Sequence, residues 1–164
     1  MTPRLLMESD ISQVLTVQTT CYRPELIESR SAFLRKLTLF PSGCFGSFEC
    51  GQMVGYVFAH PWVRGTTVPL DSSDYLLPGN IDCMYVHDLA VVATARGKGV
   101  APSLIQALSA AASARHLKTF ALVAVQDSEK YWTRWGFRIQ YPLEYGTGVP
   151  AHYMTCDELP KWTR

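Results

Sequence analysis

The chain has no apolar run long enough to cross a bilayer. Its start, Met1-Thr2-Pro3-Arg4, lacks the apolar stretch of a secretory signal, so a cytoplasmic protein with no membrane partner is expected. There is no C-x-x-C pair. The five cysteines, Cys21, Cys44, Cys50, Cys83 and Cys156, are odd in number and scattered, which argues against a disulfide framework and for packing residues in a reducing compartment. No spacing of His, Cys, Asp and Glu suits a metal ion, and none is expected. A net charge of +1 gives no basis for nucleic acid as a partner. Repeats, linkers and low-complexity tracts are absent. What remains is a chain of 164 residues, 48% hydrophobic and 12% aromatic, enough to bury the core of one domain over residues 1–164.

The most informative segment is Arg96-Gly97-Lys98-Gly99-Val100-Ala101. The apolar run Tyr85 to Val92 precedes it, and a helical pattern follows. Glycines let the backbone turn tightly and come close to a ligand. The helix start after them offers free N–H groups and positive dipole potential. Together these form an anion site, most often for phosphate, and Arg96 and Lys98 add charge. The P-loop pattern fails because Gly99 follows Lys98. The Rossmann pattern fails because Pro102 stands at its third glycine. Pro102 instead suits a first helical turn. The pattern that survives is R-x-x-G-x-A, which an ordinary strand–helix turn also satisfies.

The remaining elements are read coarsely. Arg4 to Met7 predicts a first strand. Ser9 or Asp10 caps a helix with Ile11, Val14, Leu15 and Gln18 on one face. Pro24 opens a second helical stretch through Leu26, Phe33, Leu34 and Leu37, which Pro41-Ser42-Gly43 breaks. Cys44–Glu49 and Gln52–His60 read as a hairpin turned at Cys50-Gly51, with His60-Pro61 ending the second strand. Trp62 to Asn80 reads as loop. Leu104, Ile105, Leu108, Ala111 and Ala112 form one apolar helix face. Phe120 to Val125 reads as a buried strand. Arg138–Tyr141 and Ala151–Cys156 read as two last strands, joined by Glu144 to Pro150.

The order of these motifs resembles the GNAT superfamily of acyl-CoA N-acyltransferases. The likeness rests on His87-Asp88-Leu89-Ala90-Val91, on R-x-x-G-x-A, and on Ser128 to Phe137, an aromatic helix ending in Gly-Phe. The resemblance implies an α/β (α+β) fold: a mixed, mostly antiparallel sheet of about seven strands, helices on both faces, and central strands splayed to admit acetyl-CoA. It implies acetyl transfer to a primary amine by direct attack in a ternary complex. Backbone groups of Leu89, Ala90 and Val91 would hold the pantetheine arm, with the Val91 N–H facing the thioester oxygen. Arg96, Gly97, Lys98, Gly99, Val100, Ala101 and Pro102 would bind the pyrophosphate. Ser128 and Trp132 would line the same cofactor path.

H-x-L-A-V further resembles the arylalkylamine N-acetyltransferase branch, in which a histidine at the position of His87 is implicated in deprotonating the amine. The alternative is a strand histidine bonded to neighbouring backbone. Strand alternation sends Asp88 to the opposite face from His87, away from the same pocket. The family's usual tyrosine acid falls at Trp132, and an indole is no useful acid. Tyr131, one step away, is the named candidate acid, with Tyr141, Tyr145, Tyr153 or water as substitutes. Tyr22, Glu25, Tyr85 and Tyr145 are the candidate acceptor-binding residues, flanked by Glu28, His152, Trp62, Asp71, Asp74 and Tyr75. Aromatics with carboxylates suit a cationic small amine. A protein or peptide amine, a non-catalytic acyl-CoA-binding regulator and a phosphate-binding module stay open as other readings. Homodimers are frequent in the family.

Overall fold

The computed structural model describes residues 2–160. Seven strands form one sheet in the order β1-β2-β3-β4-β5-β7-β6. They are β1 (Arg4–Leu5), β2 (Cys44–Glu49), β3 (Gln52–Trp62), β4 (Cys83–Val91), β5 (Phe120–Ala124), β6 (Arg138–Tyr145) and β7 (Val149–Cys156). Every pairing is antiparallel except β4 with β5. This is the mixed, mostly antiparallel sheet that the sequence leads one to expect.

Four helices cover the two faces: α1 (Ile11–Cys21), α2 (Arg30–Leu39), α3 (Val100–Ser113) and α4 (Glu129–Thr133). Helix α3 buries Val100, Leu104, Ile105, Leu108 and Ala112 against Val57, Met84, Val86 and Leu122 of the sheet. Each such Leu or Ile contributes about 1.5–3 kcal/mol on burial. On the opposite face α1 and α2 bring Ile11, Val14, Val17 and Phe33 onto Tyr56, Phe58 and Ala90.

Several boundaries differ from expectation, each for a physical reason. Strand β1 stops at Leu5, and Asp10 spends its carboxylate on Arg4 (2.8 Å twice) and the Met7 N–H (2.8 Å) instead of capping α1. Pro24–Leu26 is only a 3₁₀ turn, and α2 starts at Arg30, capped by Ser29 accepting from the Ala32 N–H at 3.3 Å. Strand β3 runs past Pro61 to Trp62. Strand β2 pairs with β3 only as far as Phe58, so nothing on that side asks Pro61 for an N–H. Strands β6 and β7 extend to Tyr145 and Val149, which reduces the Glu144–Pro150 connection to residues 146–148. There Gly146 and Gly148 adopt φ of 61° and 75°.

Candidate active site

Strands β4 and β5 pair only at Met84–Val86 with Phe120–Leu122. Beyond Val86 they part, and a cleft of about 400 Å³ opens between them. One edge of β4 is therefore left without a strand. The carbonyls of Leu89 and Val91 lie on that free edge: the Tyr22 hydroxyl, whose one hydrogen is shared with Asp88, lies 2.9 Å from the first, and the Arg96 Nε donates to the second at 3.1 Å. A strand residue directs its N–H and C=O to the same side. The Leu89 and Val91 N–H groups thus face the cleft too.

The glycine-rich turn closes the end of the cleft beyond Val91. Gly97 and Gly99 hold φ of 77° and 80°, the left-handed region in which a side chain costs about 1–2 kcal/mol. Gly99 is the residue before α3, and the first bond of the helix runs from the Ser103 N–H to the Gly99 carbonyl at 3.1 Å. The amides of Val100 and Ala101 therefore lack intrahelical acceptors, and Pro102 has no N–H to leave unpaired. Arg96 and Ala101 line the cleft, with Ser128, Tyr131 and Trp132 opposite. Lys98 is exposed. Trp132 is 8% exposed and packs edge-on against Tyr131 and Phe137, both at 5.3 Å between centroids. The Tyr131 hydroxyl is buried and bonds to none of the described residues. Burial raises its pKa, partly offset by the nearby Trp135 and Arg134.

At the other end of the cleft Tyr22, Leu26, Glu28, Leu70, His87, Asp88 and Tyr145 converge. The expectation that His87 and Asp88 face opposite ways is overturned. The β3–β4 register pairs Phe58 with Asp88 but Ala59 with Val86, so His87 is an extra, bulged residue. The bulge resets the alternation. Tyr85 and His87 point to the α1–α2 face, and so do Asp88 and Ala90.

Asp88 accepts from the Tyr22 hydroxyl at 2.5 Å and from the Tyr56 hydroxyl at 2.7 Å. Burial nevertheless pushes its carboxyl up to about 6, against the pull of both tyrosines. Glu28 is also buried. Its Oε1 lies 2.5 Å from the Lys36 Nζ, and its Oε2 accepts the Asp71 N–H at 2.9 Å and faces the His87 Nε2 at 3.3 Å. Burial alone would raise Glu28, but His87 and Lys36 override it and hold the carboxyl well below its ordinary range. The His87 side chain is 1% exposed, and burial followed by Lys36 lowers its pKa. With its pKa lowered, His87 meets Glu28 at neutral pH as a hydrogen-bond donor, beside the Lys36 Nζ on the other carboxylate oxygen. Among the described residues the His87 Nδ1 has no hydrogen-bond partner.

Two proposed acceptor residues lie elsewhere. Glu25 is exposed, pairs with Arg23 at 3.4 Å, and lines a second, outer cavity. Tyr85 is 1% exposed and packs beside His60 and His87, behind the cleft wall. Tyr22 and Tyr145 do line the cleft, Tyr145 with its hydroxyl donating to the Val68 carbonyl at 3.1 Å. Tyr141 and Tyr153 stack on each other away from it, and His152 pairs with Glu129 at 2.6 Å. Gln126 and Lys36 were not foreseen from sequence. Gln126 straps the two cleft walls together, accepting from the Arg23 N–H at 2.8 Å and donating to the Cys21 carbonyl at 3.1 Å. Among the described residues no group of three or more His, Cys, Asp or Glu side chains is placed to hold a metal ion, and no helix is long and apolar enough to cross a membrane.

Comparison with known proteins finds this architecture in many solved structures. Ard1 from Thermoplasma volcanium is 18% identical, with 97% of this chain and 98% of that chain covered and a TM-score of 0.76. The GphF GNAT-like decarboxylase, in complex with isobutyryl-CoA, is 16% identical over 96% of this chain and 99% of its own, with a TM-score of 0.77. Naa20 from Chaetomium thermophilum, in complex with a bisubstrate analogue, is 16% identical over 96% of this chain and 87% of its own, with a TM-score of 0.73. At such identities the likeness concerns the fold. No protein of curated function matches in sequence. The family model for the acetyltransferase (GNAT) domain matches residues 77–158, from the approach to β4 through β7. Spanning half the sequence and containing the splayed strands, the glycine-rich turn and the aromatic helix, that match shows that the chain belongs to the GNAT acetyltransferase family.

Proposed function

We propose that the protein transfers an acetyl group from acetyl-CoA to a primary amine by direct attack. The observation that carries this reading is the free edge of β4, which runs from the phosphate-type turn at one end of the cleft to His87 and Asp88 at the other. The amides of Val100 and Ala101, which lack intrahelical acceptors, suit the pyrophosphate, while those of Arg96 and Lys98 are spent on the Ala93 and Ala95 carbonyls. The space beside Gly97 is open, and a Cβ there would meet nothing within 4 Å. The Leu89 and Val91 edge suits the amide-bearing pantetheine arm. The Val91 N–H would stabilise charge developing on the thioester oxygen.

At the inner end the arriving ammonium loses one proton to water, and a second N–H bond breaks toward His87 Nδ1, which has no hydrogen-bond partner among the described residues, as the amine attacks. The nitrogen lone pair forms the new C–N bond, the C–S bond breaks, and the thiolate takes a proton from Tyr131 or water. Asp88 keeps Tyr22 in place on the Leu89 carbonyl and adds negative potential where the amine arrives as a cation. Among the described residues Glu28 and Asp88 are the only carboxylates lining the cleft, and both are engaged internally. Leu26, Leu70, Val123, Val125 and Tyr145 surround them. This favours a small amine with an apolar substituent, the class suggested by the arylalkylamine-like motif, over a polyamine.

A second reading rests on the outer cavity, which shares Leu70 and Tyr145 with the cleft and lies between Glu25–Ile27 and Leu143–Thr147. It offers room for the chain behind a peptide amine, and a structural neighbour, Arabidopsis thaliana Naa50, was solved with the bisubstrate analogue CoA-Ac-MVNAL. Thiol release from acetyl-CoA against a panel of arylalkylamines, polyamines, amino acids and peptides separates the readings. Turnover with apolar amines supports the first, and turnover confined to peptides supports the second. CoA binding with no turnover on any member of the panel would point to a binding protein.

A further inference from the structure

Lys36 is a buried amine that the reaction described above does not use. Burial lowers its pKa, and Glu28 beside it pulls the other way and favours the charged form. It sits on the inward face of α2 beside Ala32 and Phe33, is 1% exposed, and does not line the cleft. Its Nζ lies 4.6 Å over the Phe33 ring and 2.5 Å from the Glu28 Oε1. Two charges this deep are costly to desolvate, and replacing such a pair by apolar residues often leaves stability unchanged or higher. Stability therefore gives little reason to place a lysine here.

The consequence for His87 gives one. With Lys36 against it, Glu28 is ionised and can only accept hydrogen bonds. Its Oε2 already takes the Asp71 N–H, and its remaining partner is the His87 Nε2. That nitrogen must then carry the ring proton. A neutral imidazole has one N–H, so Nδ1 is left as a lone pair, and Nδ1 is the buried ring atom without a partner among the described residues. The neighbouring groups do not compete for this assignment. His60 stacks on His87 at 6.3 Å, but its Nδ1 faces the Pro61 carbonyl at 3.0 Å and its Nε2 faces the Tyr75 hydroxyl at 3.0 Å. Tyr85 lies 5.7 Å away ring to ring, and Asp88 is held by Tyr22 and Tyr56.

We infer that Lys36 is a positioning residue: by keeping Glu28 an acceptor, it holds His87 in the Nε2–H form and leaves Nδ1 to receive the proton of the acceptor amine. The inference rests on the acetyltransferase reading for its chemistry, and on the Lys36–Glu28–His87 chain for its geometry. Without Lys36, Glu28 would be a lone buried carboxylate and would take up a proton. As an acid it would donate to the His87 Nε2, moving the ring proton to Nδ1 and blocking the base.

The test is long-range ¹H–¹⁵N NMR on ¹⁵N-histidine-labelled protein at neutral pH, with the His87 signals assigned by their loss in His87→Gln. The wild type should show the Nε2–H form, and Lys36→Met should show the Nδ1–H form. Kinetically, Lys36→Met should lower kcat at least about tenfold, within the range a general base contributes, with the KM for acetyl-CoA unchanged. Should Lys36→Met fail to fold, Glu28→Gln replaces it, and a mixture of the two forms is expected there. A wild-type Nδ1–H form, or a tautomer untouched by these substitutions in folded protein, overturns the inference. A protein that acetylates no amine yet shows the Nε2–H form and its loss in Lys36→Met overturns the functional reading, while the positioning of His87 stands.

Discussion

Replacing Asp88 by asparagine should change how stability depends on pH, with a sign opposite to that of most carboxylates. Asp88 is 9% exposed, and burial pushes it up to about 6, from an ordinary value of 3.8. The folded protein therefore binds this proton more tightly than the unfolded chain. The stability linked to it is fully present below pH 4 and is lost as pH rises through 6. A shift of about two units corresponds to roughly 3 kcal/mol, charged against the wild type at pH 7 and above. Asparagine keeps the shape and can still pair with both Tyr22 and Tyr56, accepting from one hydroxyl and donating to the other. It carries no titrating group. Urea unfolding of both proteins at pH 7 and pH 5 isolates the effect, because His60, His87 and Glu28 titrate in both and cancel in the difference. Between those two pH values the advantage of Asp88→Asn over wild type should shrink by about 1 kcal/mol. A difference that stays constant, or that moves toward the variant on acidification, would refute the claim that desolvation outweighs the two tyrosines at this site.

Three further outcomes follow from the same geometry. His60 is fully buried and its pKa falls to about 3, so the stability it contributes is present above pH 6.5 and lost on acidification. The gap between wild type and His60→Gln in urea melts should therefore narrow below pH 6.5. Gly99→Ala forces a side chain into φ of 80° at the start of α3, which should cost about 1–2 kcal/mol in thermal unfolding and weaken CoA binding by calorimetry, whereas Gly51→Ala, at φ of 78° in the β2–β3 turn, should show the first effect only. Tyr131→Phe removes a buried hydroxyl that bonds to none of the described residues, so its thermal stability should match or exceed that of wild type while kcat falls. A destabilised Tyr131→Phe would mean that the hydroxyl has a structural partner after all.

Much of the frame was legible because local chemistry and tertiary structure agree. Strand β2 has the bounds its alternation predicts, Cys50 and Gly51 make the turn with φ of 49° and 78°, and the apolar face of α3 is the buried one. The glycine-rich turn could be placed because two glycines and a proline restrict the backbone to few conformations. The extension of β3 through Pro61 could not be read. Whether a proline's missing N–H matters depends on whether another strand lies alongside, and β2 ends short of it. The acceptor end was the least legible part. Tyr85 is an expected acceptor-binding residue and shares the His87 face, yet it lies where β4 and β5 are still paired and is covered by His60, which puts it behind the wall.

The bulge explains why the site's electrostatics were out of reach of the sequence. A single extra residue between Val86 and Asp88 turns two side chains that should diverge into neighbours on one face. No residue in Val86-His87-Asp88 announces it, since a bulge of this kind needs no glycine. Without it Asp88 would point toward α3, away from Tyr22 and Tyr56, and a lone carboxylate in that apolar layer would have no donor. With it, the cleft acquires a second titratable group beside His87. Lys36 did leave a trace. On α2 the inward positions Ala32, Phe33 and Lys36 share a face at i, i+1 and i+4, and a lysine there needs a buried anion. The helix alone does not say which anion. Glu28 supplies it from the preceding loop, so the charge that organises the histidine arises from two segments whose meeting depends on the packed fold.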